Sequence, residues 1–271
     1  MSHVRIERDL AYATRGDSTL SFDLHLPAEV AGPLPLALYL HGGGWARGAR
    51  DDRIADRVPP VAASGLVVAS IDYRLSGEAA WPAQLEDVRA ALAAIPRIVA
   101  DRGVPLSGRL GLWGASAGGH LALMAALTAA EEGALAPDAV VAWFATTDLA
   151  LASRAPASPG ARMPSFLPPG APIPPFERML LGLRDDEDGA AALRAASPLG
   201  HVGPGVAPVL LVHGDEDGMV PASHSAMLHA ALRDAGSPVT TLLLHGATHE
   251  DPEFDTPAVL GATAAHLRGE A

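Results

Sequence analysis

The stretch GASAG at residues 114 to 118 sets one serine among small residues, with the apolar run RLGLW before it and the helix-forming run HLALMAALTAAEE close behind. It fits G-x-S-x-G, a strained turn from strand to helix that exposes the serine Oγ and needs neighbours without bulk so that the backbones can pass. Ser116 in that setting is either a helix cap or a nucleophile. HGGGW at 41 to 45 follows another apolar run, and its three glycines leave backbone N–H groups free to face a developing oxyanion. The N–H of Ala117, next to the serine, would complete such a hole. The two motifs in this order point to acyl transfer at Ser116 rather than to a cap.

A serine hydroxyl is a weak nucleophile near neutral pH without a base, and the base needs a carboxylate to orient it. Behind a serine elbow these partners follow in the order Ser, Asp, His, each on a loop after a late strand. LLVHGDEDGMVP supplies Asp215 and Asp217, and LLLHGATHEDP supplies His245 and His249, two candidates for each role. Other histidines, among them His120, His201, His213, His224 and His229, lack a ligand spacing such as H-E-x-x-H. Structural or surface roles are expected for them, and no metal site.

Composition narrows the chemistry further. The 271-residue chain has no cysteine, which removes disulfides and thiolate metal ligands, and no lysine, which removes Schiff-base chemistry and a Walker-type phosphate loop. A net charge of -12 argues against nucleic acid, whose phosphates need a concentrated basic face. A small neutral molecule, attacked without a cofactor, is the expected partner. No apolar run reaches the roughly 18 residues of a membrane span. The opening MSHVRIERDL is charged and has no apolar secretory core, so a cytoplasmic protein is expected. A monomer and a homodimer both fit the sequence.

The site groups need a sheet to carry them. HVRIERDLAYA and TLSFDLHLP, split by the turn RGDS, predict an antiparallel hairpin. Six buried-strand runs follow: LPLALYL, GLVVASIDYR, RLGLWG, AVVAWFA, PVLLVHGD and VTTLLLHG. Helical segments are expected at 51–64, 82–101, 117–132, 221–235 and 252–268, with Pro96 ending or kinking the second early. Strand and helix in alternation predict an α/β fold, a mostly parallel twisted sheet of about eight strands with helices on both faces. Residues 150–206, rich in Pro, Ala, Gly and Ser, break the rhythm. Too little chain follows them for an independent domain. They are therefore expected to be an excursion from one 1–271 domain, covering the mouth of the site, rather than a linker.

HGGGW, DYRL at 72 to 75, WPAQLEDVRAAL, GASAGGHLAL, ASPL and HGDEDGMVP with a later histidine stand in matching order over residues 20 to 268. In this the chain resembles compact α/β-hydrolase esterases, the hormone-sensitive-lipase-like carboxylesterases and the acetyl and feruloyl esterases. The resemblance implies the α/β-hydrolase fold, with Ser116 as nucleophile and Asp217, the second aspartate of H-G-D-x-D-x-x-V-P, as the acid. Asp215 then ties the turn through backbone amides. His249 becomes the base, since it lies deeper in its loop and just before EDP, a cap and first-turn proline for the last helix, whereas His245 abuts the strand. Gly43 and Gly44 join Ala117 as oxyanion donors, His41 holds the glycine loop, and Asp72 and Tyr73 buttress it.

The implied activity is hydrolysis of carboxylic esters, with acetyl and other short acyl groups expected. An arylformamidase or other amidase would use the same groups. A peptidase needs acidic residues placed for a substrate amine, and none is assignable. A ligand-binding protein without catalysis would not need a candidate for every role. The larger lipase-like relatives carry a helical cap before HGGG, but here the hairpin and the first buried strand consume the first 40 residues. Any lid must then come from 150–206.

Overall fold

Six apolar runs and the N-terminal hairpin pair edge to edge in one eight-stranded sheet, seen in a computed structural model that describes residues 4–153, 174–184 and 186–270. The strands are β1 (Val4–Arg15), β2 (Ser18–Pro27), β3 (Leu34–Leu40), β4 (Val67–Ile71), β5 (Leu106–Ala115), β6 (Ala139–Trp143), β7 (Val209–Gly214) and β8 (Val239–Leu244). Their spatial order is β1-β2-β4-β3-β5-β6-β7-β8. The hairpin strands run antiparallel to each other and β2 to β4, while β3 to β8 are parallel.

The helices are α1 (Val58–Ala63), α2 (Ala83–Ala100), α3 (Ala117–Leu127), α4 (Leu149–Ala152), α5 (Phe176–Leu180), α6 (Ala190–Ala195), α7 (Ser223–Asp234) and α8 (Pro257–Arg268). Right-handed crossovers decide which face each one covers. The step from β3 to β4 runs one way along the sheet, and every later step runs the other way. Thus α1 lies on one face with α8, while α2, α3 and α7 lie on the opposite face. Side chains follow suit: Leu36, Leu38 and Leu40 of β3 join the core under α2 and α3, and Ala37 and Tyr39 join the core under α1 and α8. The loops leaving the neighbouring strands β3 and β5 diverge. That opens the crevice at the carboxyl ends where ligands bind in such sheets.

Several boundaries differ from the expectation. The helix expected at 51–64 is reduced to α1, because Pro59 and Pro60 suit a first turn and the residues before them form turns. The one expected at 117–132 ends at Leu127, and the one at 252–268 is split into a 3-10 turn, Pro252–Asp255, and α8. Pro96 does not end α2, which continues to Ala100. One carbonyl loses its N–H partner there, but Ile95 and Val99 are fully buried on either side, and that burial outweighs the loss.

Of the 150–206 excursion, residues 154–173 and 185 lie outside the described residues. The described remainder packs on the main core: Phe176, Leu180, Leu193 and Ala196 all belong to the cluster under α2 and α3. Leu199 N–H donates to Thr147 O at 3.0 Å, and Trp81 N–H donates to Leu180 O at 2.8 Å. On the other face Arg57, 1 % exposed, donates two hydrogen bonds to Asp255, at 2.7 and 3.1 Å, and one to the Tyr39 hydroxyl at 3.0 Å. This ties α1 to the turn that follows the His249 loop. Among the described residues no helix is long and apolar enough to cross a membrane.

Burial pushes three imidazoles, His25, His120 and His224, down to about 4. His25 has no hydrogen-bond partner on either ring nitrogen. In the unfolded chain these groups titrate near 6.5, so between about pH 6.5 and 4 the unfolded chain binds protons that the folded chain refuses. Stability therefore falls as pH falls through that window, with a slope approaching about 4 kcal/mol per pH unit for three protons. Urea unfolding from pH 7.5 to 4.5 should show a steadily falling midpoint, and His25→Leu should flatten the slope by about a third. A midpoint that does not move with pH contradicts this account.

Candidate active site

Ser116 joins β5 to α3 at φ 53° and ψ −116°, a left-handed backbone that a side chain normally avoids. Its N–H donates to Trp143 O at 2.9 Å. The hydroxyl makes no capping hydrogen bond to α3. The flanking glycines meet backbone: a Cβ on Gly114 would lie 2.2 Å from Gly118 O, and one on Gly118 would lie 2.1 Å from Leu40 O. Neither position admits any other residue without moving the elbow.

Instead of capping the helix, Oγ of Ser116 lies 3.1 Å from Nε2 of His249. The carboxylate of Asp217 can only accept, so Nδ1–H of His249 donates to its Oδ2 at 2.7 Å and leaves Nε2 free to accept from the serine. Oδ1 of Asp217 accepts from the N–H groups of Met219 and Val220 at 2.9 and 2.8 Å, which close the turn after β7. Burial alone would raise the Asp217 carboxyl. Its contacts with His249 and His213 outweigh that and hold the group well below the usual carboxylate range.

The alternative pair forms a separate contact. Asp215 meets His245 at 2.8 Å and also accepts from the N–H of Gly246 at 2.7 Å, tying the β7 loop to the β8 loop as expected. His245 is 97 % exposed there.

The HGGGW loop sits directly on the elbow. A Cβ on Gly42 would lie 3.5 Å from that of Ser116. Gly43 has φ 114° with room for no side chain beside Arg47 O, and Gly44 has φ 61° with the Phe176 ring against it. Ala117 is the first residue of α3, where an N–H has no acceptor within the helix. His41 is buried and, kept neutral by that burial, donates from Nδ1 to Gly42 O at 2.7 Å. Tyr73 stacks on the His41 ring and donates to His41 O at 2.8 Å. Asp72 accepts from the N–H of Arg50 at 2.9 Å and pairs with its guanidinium.

Other neighbours carried no signal in their own segments. Phe144, at φ 37°, sets its ring edge-on to His249 with centroids 4.8 Å apart. His213 donates to Val220 O at 2.8 Å, with Asp217 Oδ2 3.4 Å away. Trp45 donates to Nδ1 of His120 at 3.2 Å, and His120 in turn donates to Ala196 O at 2.8 Å. Phe144, Trp45 and His120 meet partners far away in sequence, so local pattern could not reveal them; Val220 and Asp217 lie within seven residues of His213. A histidine in HGDED and an aromatic after AVVAW were the only hints.

Residues 22–232 match the family designated BD-FAE. LipQ of Mycobacterium tuberculosis, named an esterase, is 30% identical over 203 residues, 75% of this chain and 47% of that protein. NlhH of Mycobacterium tuberculosis, named a carboxylesterase, is 36% identical over 151 residues, 54% of this chain and 46% of that protein. The chain thus spans about half the length of these curated relatives. A truncated carbohydrate esterase from gut microbiota, 26% identical, superimposes with a TM-score of 0.82 over 98% of this chain and 96% of that one. With the family match running through most of its length, the chain belongs to the BD-FAE family and has the α/β-hydrolase fold.

Proposed function

We propose that the protein hydrolyses carboxylic esters by two-step acyl transfer, with Ser116 as nucleophile, His249 as general base and Asp217 as the orienting acid. The observation that carries this reading is the run of short contacts from Ser116 Oγ through His249 to Asp217, at 3.1 and 2.7 Å, set on a strained elbow. His249 takes the serine proton as Oγ attacks the carbonyl carbon, and the imidazolium is steadied by Asp217. The N–H groups of Gly43, Gly44 and Ala117 receive the oxyanion. His249 then returns its proton to the departing alcohol, and water, activated the same way, releases the acid.

Short acyl groups are the expected substrates, a reading supported by the Phe176 ring packed against Gly44 of the HGGGW loop. The reading treats 1–271 as one hydrolase domain, since every group it uses stands on one sheet. Within the 150–206 excursion, Phe176 meets Gly44 of the HGGGW loop.

A fluorophosphonate probe should label folded wild-type protein at Ser116, and Ser116→Ala should lose about a millionfold in kcat. Labelling at another residue overturns the assignment. Asp217→Asn should lower kcat by about 10⁴, whereas Asp215→Asn should stay within about fivefold of wild type because its pair is exposed; the reverse result exchanges the two aspartates. Against aryl esters of increasing acyl length, an acetylated sugar, a feruloyl ester and a formyl anilide, acetyl to butyryl esters should be cleaved best. Phe176→Ala should shift the optimum to longer chains. Preference for the formyl anilide would make the protein an amidase.

A further inference from the structure

Six non-glycine residues have positive φ among the described residues: Asp9, Trp45, Arg53, Ser116, Phe144 and Glu250. All but Asp9 surround the candidate site. Such conformations persist only where the surroundings impose them, and they gather at functional sites. Ser116 is the elbow, Trp45 ends the glycine motif, and Phe144 packs on His249. Arg53 and Glu250 remain without a part in the mechanism above, and they hold each other. Arg53 Nη1 lies 3.7 Å from Glu250 Oε2, and Nη2 donates to the Glu250 carbonyl at 3.3 Å.

Glu250 directly follows His249 and is 11 % exposed at its side chain. Its Oε1 is 3.7 Å from where a Cβ on Gly42 would stand, and that same point is 3.5 Å from the Cβ of Ser116. Its charge also supports the Arg47 guanidinium, which burial pulls below the ordinary arginine value. A cavity of about 260 Å³ lies beside this contact, lined by Gly42, Gly43, Arg47, Arg53 and Glu250 among others. The His249 loop and the HGGGW loop therefore face each other across a hollow, bridged by polar groups rather than by packed side chains.

We infer that Glu250 is a positioning residue: clamped by Arg53, it sets the His249 loop against the HGGGW loop, so that base, nucleophile and oxyanion donors keep their mutual geometry. A partly exposed ion pair contributes little to folding. Displacing a catalytic group by an ångström, in contrast, can cost up to about a hundredfold in rate. Stability and activity should therefore part company when the clamp is removed. The inference rests on the serine-esterase reading.

The test compares Glu250→Gln, Arg53→Gln, the double variant and Glu250→Gly. Each is followed by aryl acetate kinetics, by the rate of fluorophosphonate labelling at Ser116 and by thermal unfolding. Each single substitution should lower kcat and labelling rate about tenfold with KM unchanged, and the double variant should lose no more than either single one. Glu250→Gly, which relieves the positive φ, should unfold at the wild-type temperature or above it while losing the same activity. The inference is overturned if kcat and labelling stay within twofold of wild type, if the loss appears in KM, if the single losses multiply, or if the Tm of Glu250→Gly falls along with activity. If wild-type Ser116 does not label at all, the serine reading fails and this inference falls with it. Normal wild-type labelling with unaffected variants sinks the clamp alone.

Discussion

The candidate site depends on one backbone conformation, that of Ser116 at φ 53° and ψ −116°. A left-handed non-glycine residue costs roughly 1–2 kcal/mol, so its neighbours must hold it there. The Ser116 N–H is bound to Trp143 O, and its carbonyl accepts from His120 N–H at 3.0 Å, fastening the residue to β6 and to the first turn of α3. Gly114 and Gly118 let backbone touch backbone across the turn. Gly118 also lies under the carbonyls of Leu40 and His41, where a Cβ would come within 2.1 and 2.5 Å. The elbow and the HGGGW loop are thus in register through main-chain contact. Their relative position depends on glycine more than on any side-chain interaction.

A polar framework carries this register outward to the N-terminal hairpin. Arg50, a few residues past HGGGW, faces three carboxylates, those of Asp9 on β1, Asp23 on β2 and Asp72 after β4. Asp23 is 2 % exposed, and burial alone would raise its carboxyl. The N–H of Asp9 and the Arg50 guanidinium overcome that and lower it. A buried carboxylate stripped of its cation is strongly destabilising, on the order of 3–5 kcal/mol. The hairpin therefore does more than extend the sheet, since it anchors the far end of the HGGGW loop. On the other side of His41 the stacked Tyr73 ring does comparable work without charge.

Much of this was legible from sequence because it rests on local rules. The buried strands read as continuous apolar runs, and G-x-S-x-G and HGGG announce themselves by the small residues that close backbone approach requires. Strand order narrowed the candidates to Asp215 or Asp217 and His245 or His249, and the family resemblance chose Asp217 and His249 among them. Boundaries were less legible: α1 shrank to the turn its prolines allow, and Pro96 was overruled by the burial of Ile95 and Val99. Tertiary packing decided those points. Arg50, Phe144, Phe176 and Glu250 stayed hidden for a similar reason. Each meets its partner across a long sequence separation, as Arg50 does with Asp9 and Asp23, and no period or motif marks such a meeting.

The two Asp–His pairs show why geometry alone does not identify a catalytic pair. Asp217 with His249 and Asp215 with His245 stand at 2.7 and 2.8 Å, and they come from the same two loops. Their surroundings are opposite. The first pair is 0 and 3 % exposed at its side chains, while the second is 30 and 97 % exposed. In water the exposed pair gains on the order of 0–1 kcal/mol and is free to rearrange. In the desolvated pair each hydrogen bond is worth more, and an unpaired charge would be costly. Met219, Val220 and His213 hold Asp217 from behind, and Phe144 closes over His249. The imidazole is thereby kept in one tautomer and one orientation, with Nε2 turned to Ser116. Burial makes one of two nearly identical contacts able to support a general base, and leaves the other as a fastening between loops.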